Sequence, residues 1–160
     1  MIIISGGQTG ADQAGLIVAK EFGIETSGFA AKNFMTEKGP NLKLKYEFNL
    51  IDSGLNYHDR TILNCQCSDI TYIFTFNENS PGTKVVKQNC ANFRIFDLNQ
   101  LLHAENNPIK FNFTLELMSD CLNWEFDVIN IAGNRESFKI GNVERLTKHL
   151  IRHSLSRRQK

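Results

Sequence analysis

The sequence lacks an excess of either charge and contains no long hydrophobic run. Its 160 residues include 18 basic and 17 acidic side chains, for a net charge of +1, so no global charge favours nucleic acid or an anionic membrane. The apolar run at residues 2–4 is far shorter than the roughly 20 residues of a membrane-spanning helix. No basic region precedes it, unlike in a secretory signal peptide. We therefore expect a cytoplasmic protein with neither a nucleic-acid partner nor a membrane partner.

Metal and redox motifs are also scarce. The sequence has four cysteines, which are Cys65, Cys67, Cys90 and Cys121. None of them forms a Cys-x-x-Cys pair, so reduced thiols are expected, with a weak metal or redox signal at the Cys-x-Cys. His149 and His153 have metal-ligand spacing, but they adjoin the basic end of the chain and have no acidic or thiol partner nearby. This pattern favours a solvated helix end, and we predict no metal site.

No catalytic nucleophile motif is present. The sequence has no Gly-x-Ser-x-Gly turn and no nucleophile with a matched base. His58 is the one histidine close to the candidate binding loops described below, and we interpret it as a surface residue rather than a general base.

The chain alternates short apolar segments with segments of helical periodicity. Strands are predicted at residues 2–4, 26–30, 69–76, 93–98 and 126–132. Helices are predicted at residues 11–22, 57–67, 83–91, 108–122 and 140–155. Strands separated by helices are typical of a mostly parallel sheet that is covered on both faces. The predicted fold class is α/β, with one Rossmann-like three-layer domain over residues 1–155 and a basic tail at residues 156–160. The pattern does not fix the strand order.

The first predicted strand runs into a glycine-rich turn that precedes a helix. This turn contains Ser5, Gly6, Gly7, Gln8, Thr9, Gly10, Ala11 and Asp12. A glycine turn at a helix N-terminus favours anions, because unpaired N–H groups lie there and no side chain blocks the approach. We therefore predict a phosphate site, although the spacing matches neither G-x-G-x-x-G nor a P-loop. The alternatives are a tight turn without a ligand and an Asp12 that serves only the helix end.

A predicted helix and the irregular segment before it carry weaker signals. Tyr57, Arg60 and Asn64 lie at spacings of three and four, so they share one helix face. An arginine there has the forked donor set that binds phosphate, and a solvated polar face is the alternative. Residues 32–55 show little periodicity and contain a Gly-Pro turn pair. A long irregular segment in a compact domain is often a binding loop or lid.

Two further turns are predicted at the same edge of the sheet. Gly82 and Thr83 repeat the combination of a glycine and a hydroxyl at a helix start, and Thr83 is alternatively only an N-cap. The last predicted strand leads to Gly133, Arg135 and Ser137. Arg135 either closes over an anion or pairs with a neighbouring side chain.

Taken in order along the chain, these blocks resemble the molybdenum carrier family of the SLOG superfamily. The resemblance rests on residues 5–12, Tyr57, Arg60, Asn64, Ser68, Asp69, Gly82, Thr83 and residues 130–137. It implies a Rossmann-like homo-oligomer that binds a phosphorylated small molecule at these turns. The candidate ligand that it names is molybdopterin, or molybdenum cofactor. A nucleotide is the other ligand class that the turns suit.

Three departures from the related patterns bear on function. Pro81 stands where the family usually has glycine, so one possible phosphate donor is lost. Asn134 stands where the family tends to have proline. Related LOG-type enzymes, which hydrolyse nucleoside monophosphates to base and ribose phosphate, have a glutamate where this chain has the aliphatic Val86. A binding protein is therefore favoured. The alternative is a nucleotide-processing enzyme or a nucleotide sensor, with Asp12 and Arg60 as candidate catalytic residues.

Overall fold

The fold is built on a five-stranded sheet with helices on both faces. The computed structural model describes residues 1–158. In chain order the elements are β1 (Ile2–Ser5), α1 (Ala11–Glu21), β2 (Glu25–Ser27), β3 (Phe29–Ala30), a 3₁₀ turn (Lys32–Phe34), β4 (Met35–Thr36), β5 (Gly39–Pro40), α2 (Lys43–Tyr46), β6 (Ile51–Asp52), α3 (Tyr57–Gln66), β7 (Ile70–Thr75), α4 (Pro81–Asn89), β8 (Phe93–Asp97), α5 (Leu98–Ala104), α6 (Pro108–Ser119), β9 (Val128–Gly133), a 3₁₀ turn (Glu136–Phe138) and α7 (Val143–Arg158).

The central sheet has the strand order β2-β1-β9-β7-β8, and every neighbouring pair is parallel. The last strand therefore lies in the middle, where Ile129 pairs with Ile3 on one side and with Ile70 on the other. The prediction of a Rossmann-like α/β fold with a parallel sheet of five strands is confirmed. The strand order, which the sequence pattern left open, places the carboxyl ends of β1, β9 and β7 side by side.

The sheet is parallel because both of its faces are covered. All six residues of β7 are buried, as expected for a strand with helices on either side. Tyr72 and Phe74 face the large core beneath α1, α5, α6 and α7. Ile73 faces the opposite side, where it packs with Cys65 of α3 and Val86 of α4. Successive side chains of β7 therefore contact the two helical layers, one on each face of the sheet.

The helix boundaries differ from the predicted ones in several places. Helix α6 ends at Ser119 rather than at residue 122, and α7 begins at Val143 rather than at residue 140. Helix α5 was not predicted, because the strand assigned to residues 93–98 included its first residue and its seven residues are too few for a clear period. Helix α4 begins at Pro81 rather than at Thr83, and Ser80 is its N-cap. Pro81 is well placed at the first helical position, where no backbone N–H partner is needed. Within residues 1–158, no helix combines the length and the apolar character that a membrane crossing requires.

The first residues of the predicted basic tail belong to a helix. Helix α7 continues to Arg158, past the boundary predicted at residue 155. The Arg157 guanidinium donates to a carboxylate oxygen of Asp120 at 2.7 Å, and that of Arg158 donates to the Trp124 carbonyl at 2.9 Å. These contacts hold the last described turn of α7 against the loop after α6. Residues 159–160 of the predicted tail lie outside the described residues.

The thiol prediction is wrong for two of the four cysteines. Cys65 and Cys90 are joined as a disulfide that links α3 to the end of α4, whereas Cys67 and Cys121 are free and exposed. The two bridged residues are 25 positions apart in sequence. Spacing alone could not pair them, because their proximity arises from α3 and α4 packing side by side on one face of the sheet.

The irregular segment at residues 32–55 packs over the first glycine turn. It contains the small hairpin β4–β5, in which Met35 pairs with Pro40 and Thr36 with Gly39. Behind the hairpin, a separate apolar cluster anchors the segment to α1. That cluster consists of Leu16, Ala30, Phe34, Leu44 and Leu50, all of them buried. The hairpin tip is therefore held next to residues 8–9 of the first turn.

Candidate functional site

A cavity of about 450 Å³ lies at the carboxyl ends of β9 and β7, between α3 and α4. Its walls come from four separate parts of the chain. The lining residues are Gln8, Asp12, Tyr57, His58, Arg60, Thr61, Ser80, Pro81, Gly82, Val85, Val86, Ala132, Gly133, Asn134, Arg135, Ser137 and Phe138. Open parallel sheets bind ligands in this kind of crevice outside the strand ends, and the volume is within the range of small-molecule sites.

The structure brings half of the predicted site residues into this cavity. Those that line it are Gln8, Asp12, Tyr57, Arg60, Gly82, Gly133, Arg135 and Ser137. The remaining predicted residues are packed behind the walls: Ser5, Gly6, Gly7, Thr9, Gly10, Ala11, Asn64 and Thr83. The four predicted blocks do converge, but the first turn contributes mainly through two side chains rather than through its backbone.

Backbone donors of the first turn are already used inside the protein. The N–H of Gly7 donates to Ser5 Oγ at 3.0 Å, and that of Gln8 donates to Asp12 Oδ2 at 3.2 Å. The N–H of Ala11 donates to the Asn134 carbonyl at 3.1 Å. Asp12 therefore accepts one of the N–H groups that the turn was predicted to offer to an anion. These bonds stabilise the turn, and the phosphate site predicted there stays a prediction.

The glycines of the first turn are required by packing. Gly10 has φ of 83°, and a Cβ there would lie 2.5 Å from the Asn134 carbonyl oxygen. Gly7 has φ of 73°, and its Cβ would meet Leu44 at 2.7 Å. A Cβ at Gly6 would collide with the Arg60 guanidinium. The three glycines let other parts of the protein approach this turn, which a ligand does not need to explain.

Asp12 and Arg60 form a buried ion pair at the inner wall of the cavity. Arg60 Nη1 lies 3.4 Å from Asp12 Oδ2, and the two residues are only 7% and 4% exposed. Burial raises the pKa of Asp12, and the positive charge of Arg60 opposes that rise. Burial lowers the pKa of Arg60, and Asp12 opposes it. Each buried charge is therefore stabilised chiefly by the other.

Two buried donors at this wall have no protein partner. Arg60 Nε and Gln8 Nε2 are fully buried atoms without a hydrogen bond, and both side chains line the cavity. Buried polar groups are nearly always paired, because an unpaired one costs about 1–3 kcal/mol. Both donors belong to residues of the cavity wall, and neither is satisfied within the protein.

The entrance to α4 differs from the predicted arrangement. Ser80, not Thr83, is the N-cap, and its Oγ accepts from the Thr83 N–H at 3.4 Å. The Thr83 hydroxyl accepts from Ser80 Oγ at 2.9 Å, so Thr83 supports the cap and does not reach the cavity. Gly82 has open space around its Cβ position and lines the cavity. Val86 also lines the cavity, at the position where LOG-type enzymes have a glutamate.

The turn after β9 presents Arg135 to the cavity, beside the aromatic ring of Tyr57 at the start of α3. The Arg135 guanidinium lies 5.5 Å from the centre of the Tyr57 ring. The neighbouring Glu136 instead accepts a hydrogen bond from the Glu144 N–H at 2.7 Å. Arg135 itself is exposed, and its charge is available beside a flat aromatic surface. Such an arrangement suits a ligand that has an anionic group and a planar ring.

Two of the predicted polar residues have structural contacts. Asn64 accepts from the Phe29 N–H and donates to the Phe29 carbonyl, both at 2.9 Å, so it joins α3 to β3 in the manner of a strand partner. Asp69 accepts from the Val128 N–H at 2.8 Å, at the amino ends of the strands. His58 is exposed at the rim and lies 3.0 Å from Asp59.

Asn134 joins the ends of two strands. In the sequence it stands out only because the related family tends to have proline at this position. Its Oδ1 accepts from Thr75 Oγ1 at 2.9 Å and from the Phe76 N–H at 2.7 Å. Its own N–H donates to the Phe74 carbonyl at 3.1 Å. These bonds tie the end of β9 to the end of β7 and set the position of the cavity floor.

Glu37 was not predicted to belong to the site. Its carboxylate, at the tip of the β4–β5 hairpin, accepts from the hydroxyls of Thr9 and Ser137 and from the Ser137 N–H. Burial alone would raise the pKa of Glu37, but the hydrogen bonds from Ser137 and Thr9 outweigh it and hold the pKa below its ordinary value. The contact spans 100 residues of sequence, and no local pattern signals it.

Metal-binding side chains are not grouped in the described structure. Within residues 1–158, no three His, Cys, Asp or Glu side chains cluster in a way that could hold a metal ion. The His149 ring packs against Phe111 with ring centres 5.3 Å apart. Burial lowers the pKa of His149, and the neighbouring His153 adds to that effect.

The similarity to known proteins extends over nearly the whole chain. The circularly permutated YpsA SLOG family matches residues 3–155. The chain belongs to this family. Among proteins of curated function, none matches this SLOG chain. A crystal structure of a protein from Syntrophus aciditrophicus, named putative molybdenum carrier protein, is similar to it with a TM-score of 0.73 and 26% sequence identity. The match covers 96% of this chain and 94% of that one. The resemblance found in the sequence is thus confirmed.

Proposed function

We propose that this SLOG protein is a carrier or binding protein for a phosphorylated small molecule with a planar ring. The observation that carries the proposal is the pair of buried, unpartnered donors, Gln8 Nε2 and Arg60 Nε, at the wall of a cavity large enough for such a ligand. A ligand acceptor would recover the free energy that each unpaired donor costs. Similar cavities in open α/β sheets are ligand sites.

The cavity offers two kinds of surface to a ligand. Arg60, Arg135 and the start of α4 at Gly82 bring positive charge and a helix N-terminus toward an anion. Tyr57, whose ring lies next to Arg135, and Phe138 offer aromatic surfaces for a planar ring. The lack of an N–H at Pro81 removes one backbone donor at the α4 entrance, so the side-chain donors carry more of the anion binding.

Molybdopterin, or molybdenum cofactor, is the candidate ligand. It combines a flat pterin with a phosphate, which matches the division of the cavity into aromatic and cationic surfaces. The similar Syntrophus protein is named putative molybdenum carrier protein, which supports a cargo of this kind. A nucleotide fits the same two surfaces and is the competing ligand class. A homo-oligomeric state and a cytoplasmic location stay predictions.

Isothermal titration with matched ligand pairs tests the proposal. The probes are a phosphorylated pterin with its dephosphorylated form, and AMP with adenosine. We expect Arg135→Ala to weaken binding of the phosphorylated probe about 10- to 100-fold, the range for a lost charge-assisted hydrogen bond, and to leave the unphosphorylated probe unchanged. Arg145→Ala is the control, because Arg145 pairs with Glu105 away from the cavity. No binding of any probe, or equal effects of the two variants, would contradict the proposal.

A nucleotide-processing enzyme is the second candidate function. The observation in its favour is Asp12, a buried carboxyl at the cavity wall whose pKa is raised by desolvation, as found for many catalytic acids. Against it, Val86 occupies the position of the LOG glutamate and can neither accept nor donate a proton. Incubation with a panel of nucleoside monophosphates should then release base and ribose phosphate. Turnover that survives Asp12→Asn would show that Asp12 is neither the acid nor the base.

A further inference from the structure

The β4–β5 hairpin reaches the cavity wall from outside, and its tip residue contacts two of the four wall segments. We infer that Glu37 is a positioning residue for ligand binding, which fixes the direction of the Gln8 amide and clamps the loop that carries Arg135. This inference rests on the proposed binding function. Glu37 does not itself line the cavity, so it acts through the residues that it holds.

The orientation of the Gln8 side chain is set by two backbone donors. Gln8 Oε1 accepts from the Thr9 N–H at 3.0 Å and from the Glu37 N–H at 2.9 Å. Since both partners are N–H groups, the atom between them must be the carbonyl oxygen of the amide. Nε2 is therefore directed away from the hairpin, and it is the buried donor without a protein partner. The hairpin tip thus determines which end of the Gln8 amide is bonded within the protein and which is left without a partner.

The Glu37 carboxylate ties the first turn to the last one. It accepts from Thr9 Oγ1 on one side and from the N–H and hydroxyl of Ser137 on the other. Thr9 Oγ1 in turn accepts from the Glu136 N–H at 3.2 Å. The residue between Asn134 and Glu136 is Arg135, the cation proposed to meet the phosphate. Charge-assisted hydrogen bonds of this kind are stronger than neutral ones.

The hairpin is rigid enough to transmit this effect. The Thr36 hydroxyl donates to the Gly39 carbonyl at 2.8 Å and accepts from the Lys38 N–H at 3.1 Å, which closes the tip. At the base, the Asn41 N–H donates to the Phe34 carbonyl at 2.9 Å. Phe34 is buried in the apolar cluster beside α1. Glu37 is therefore held at the tip of a hairpin that is hydrogen-bonded at its tip and at its base.

Hydrogen exchange and side-chain NMR of the ligand-free protein test the clamp directly. We expect Glu37→Ala to speed exchange of the Glu136 and Ser137 amides at least about tenfold, because the bonds that protect this loop are lost. Glu37→Gln keeps one acceptor oxygen and should have an intermediate effect. Glu37→Ala keeps the backbone N–H that Gln8 Oε1 accepts from, but it removes the carboxylate bonds that hold the hairpin tip. The side-chain amide signals of Gln8, assigned by their loss in Gln8→Ala, should therefore shift as the tip moves. The control is Glu47→Ala, an exposed residue of the same segment. Unchanged exchange in Glu37→Ala would overturn the inference.

Titration with AMP separates this inference from the proposed function. If wild-type protein binds AMP, Glu37→Ala should raise the dissociation constant about tenfold, whereas Glu47→Ala should not change it; equal affinities for the two variants would overturn the positioning role. If wild-type protein does not bind AMP, the result counts against the nucleotide form of the proposed function. The exchange and NMR experiment then still decides whether Glu37 holds the loop and Gln8.

Discussion

The two glycine turns that begin α1 and α4 have similar sequences of small and hydroxyl residues but different environments. Around the first turn, protein atoms occupy the space beside Gly10, and Asp12 accepts one of the backbone N–H groups. Around the second turn, the space beside Gly82 is empty and opens into the cavity. A glycine at a helix start can therefore allow close packing of protein atoms in one place and leave open space beside a cavity in another. The destination of the nearby N–H groups distinguishes the two cases.

The largest expected difference between the two turns is the effect on stability of adding a methyl group to the glycine of each. Gly10→Ala should lower the free energy of unfolding by about 2–5 kcal/mol, because the residue has a positive φ and its Cβ would meet backbone atoms of residues 134–136. Gly82→Ala should change it by less than about 0.5 kcal/mol, as for an open surface position. Urea unfolding measures both. Equal losses for the two variants would mean that the turns do not differ in packing.

Helix α4, which begins at the second turn, is joined to α3 by a disulfide. Helix α1, which begins at the first turn, has no such link. Cys90→Ser removes the bond to Cys65, which closes a stretch of 25 residues, and should cost about 3 kcal/mol of unfolding free energy. Cys121→Ser is the control, since Cys121 is free and exposed. Reductant should destabilise the wild type and leave Cys90→Ser unaffected. Four reactive thiols in the denatured, unreduced wild type would contradict this prediction.

The first turn depends in addition on the loop after β9, which packs against it. Asn134→Ala leaves the Thr75 hydroxyl and the Phe76 N–H without their acceptor, and should cost about 1–3 kcal/mol. Thermal unfolding, compared with Asn106→Ala at an exposed position, measures the loss. If the two asparagine variants are equally stable, the strand-end bonds of Asn134 are replaced by water at no cost.

The smallest expected effect is the pH dependence of the stability that Glu37 contributes through its contact with the first turn. The pKa of Glu37 lies below its ordinary value of 4.5, so its contribution to stability is complete above that value and is lost as the pH falls through the folded-state pKa. Glu37→Gln should remove this part of the acid destabilisation, while Glu47→Gln should retain it. Urea midpoints measured from about pH 6 down to about pH 3 show the difference. Parallel curves for wild type and Glu37→Gln would assign the acid effect to other groups.

The fold could be predicted from the sequence because its strongest signals are local. The apolar run of β7 and the strand-turn-helix unit at residues 2–21 each show their period within a few residues. Helix α5 was missed because its seven residues follow β8 directly, with no turn between them. The short elements of residues 32–55 have no period to detect. Their packing depends on contacts with α1 that arise only in the folded chain.

The candidate site was predicted less completely, for a physical reason. Sequence patterns located the strand ends, and these do bring Arg60, Gly82 and Arg135 to one cavity. They could not show that Asp12 would form a buried ion pair, because that depends on how Arg60 of a distant helix is placed beside it. Glu37 could not be found at all, since its partners are 28 and 100 residues away.

The central position of β9 also has a consequence for the order in which the molecule assembles. This strand separates the β1–β2 pair from the β7–β8 pair, so no strand pairing joins the two pairs until residues 128–133 have been synthesised. Pairings between residues as distant as Ile3 and Ile129 carry a large loop-closure cost and slow folding. A nascent chain therefore holds two incomplete half-sheets with exposed edges. The strand that joins them also supplies the floor of the cavity, so the cavity can form only after β9 has entered the sheet.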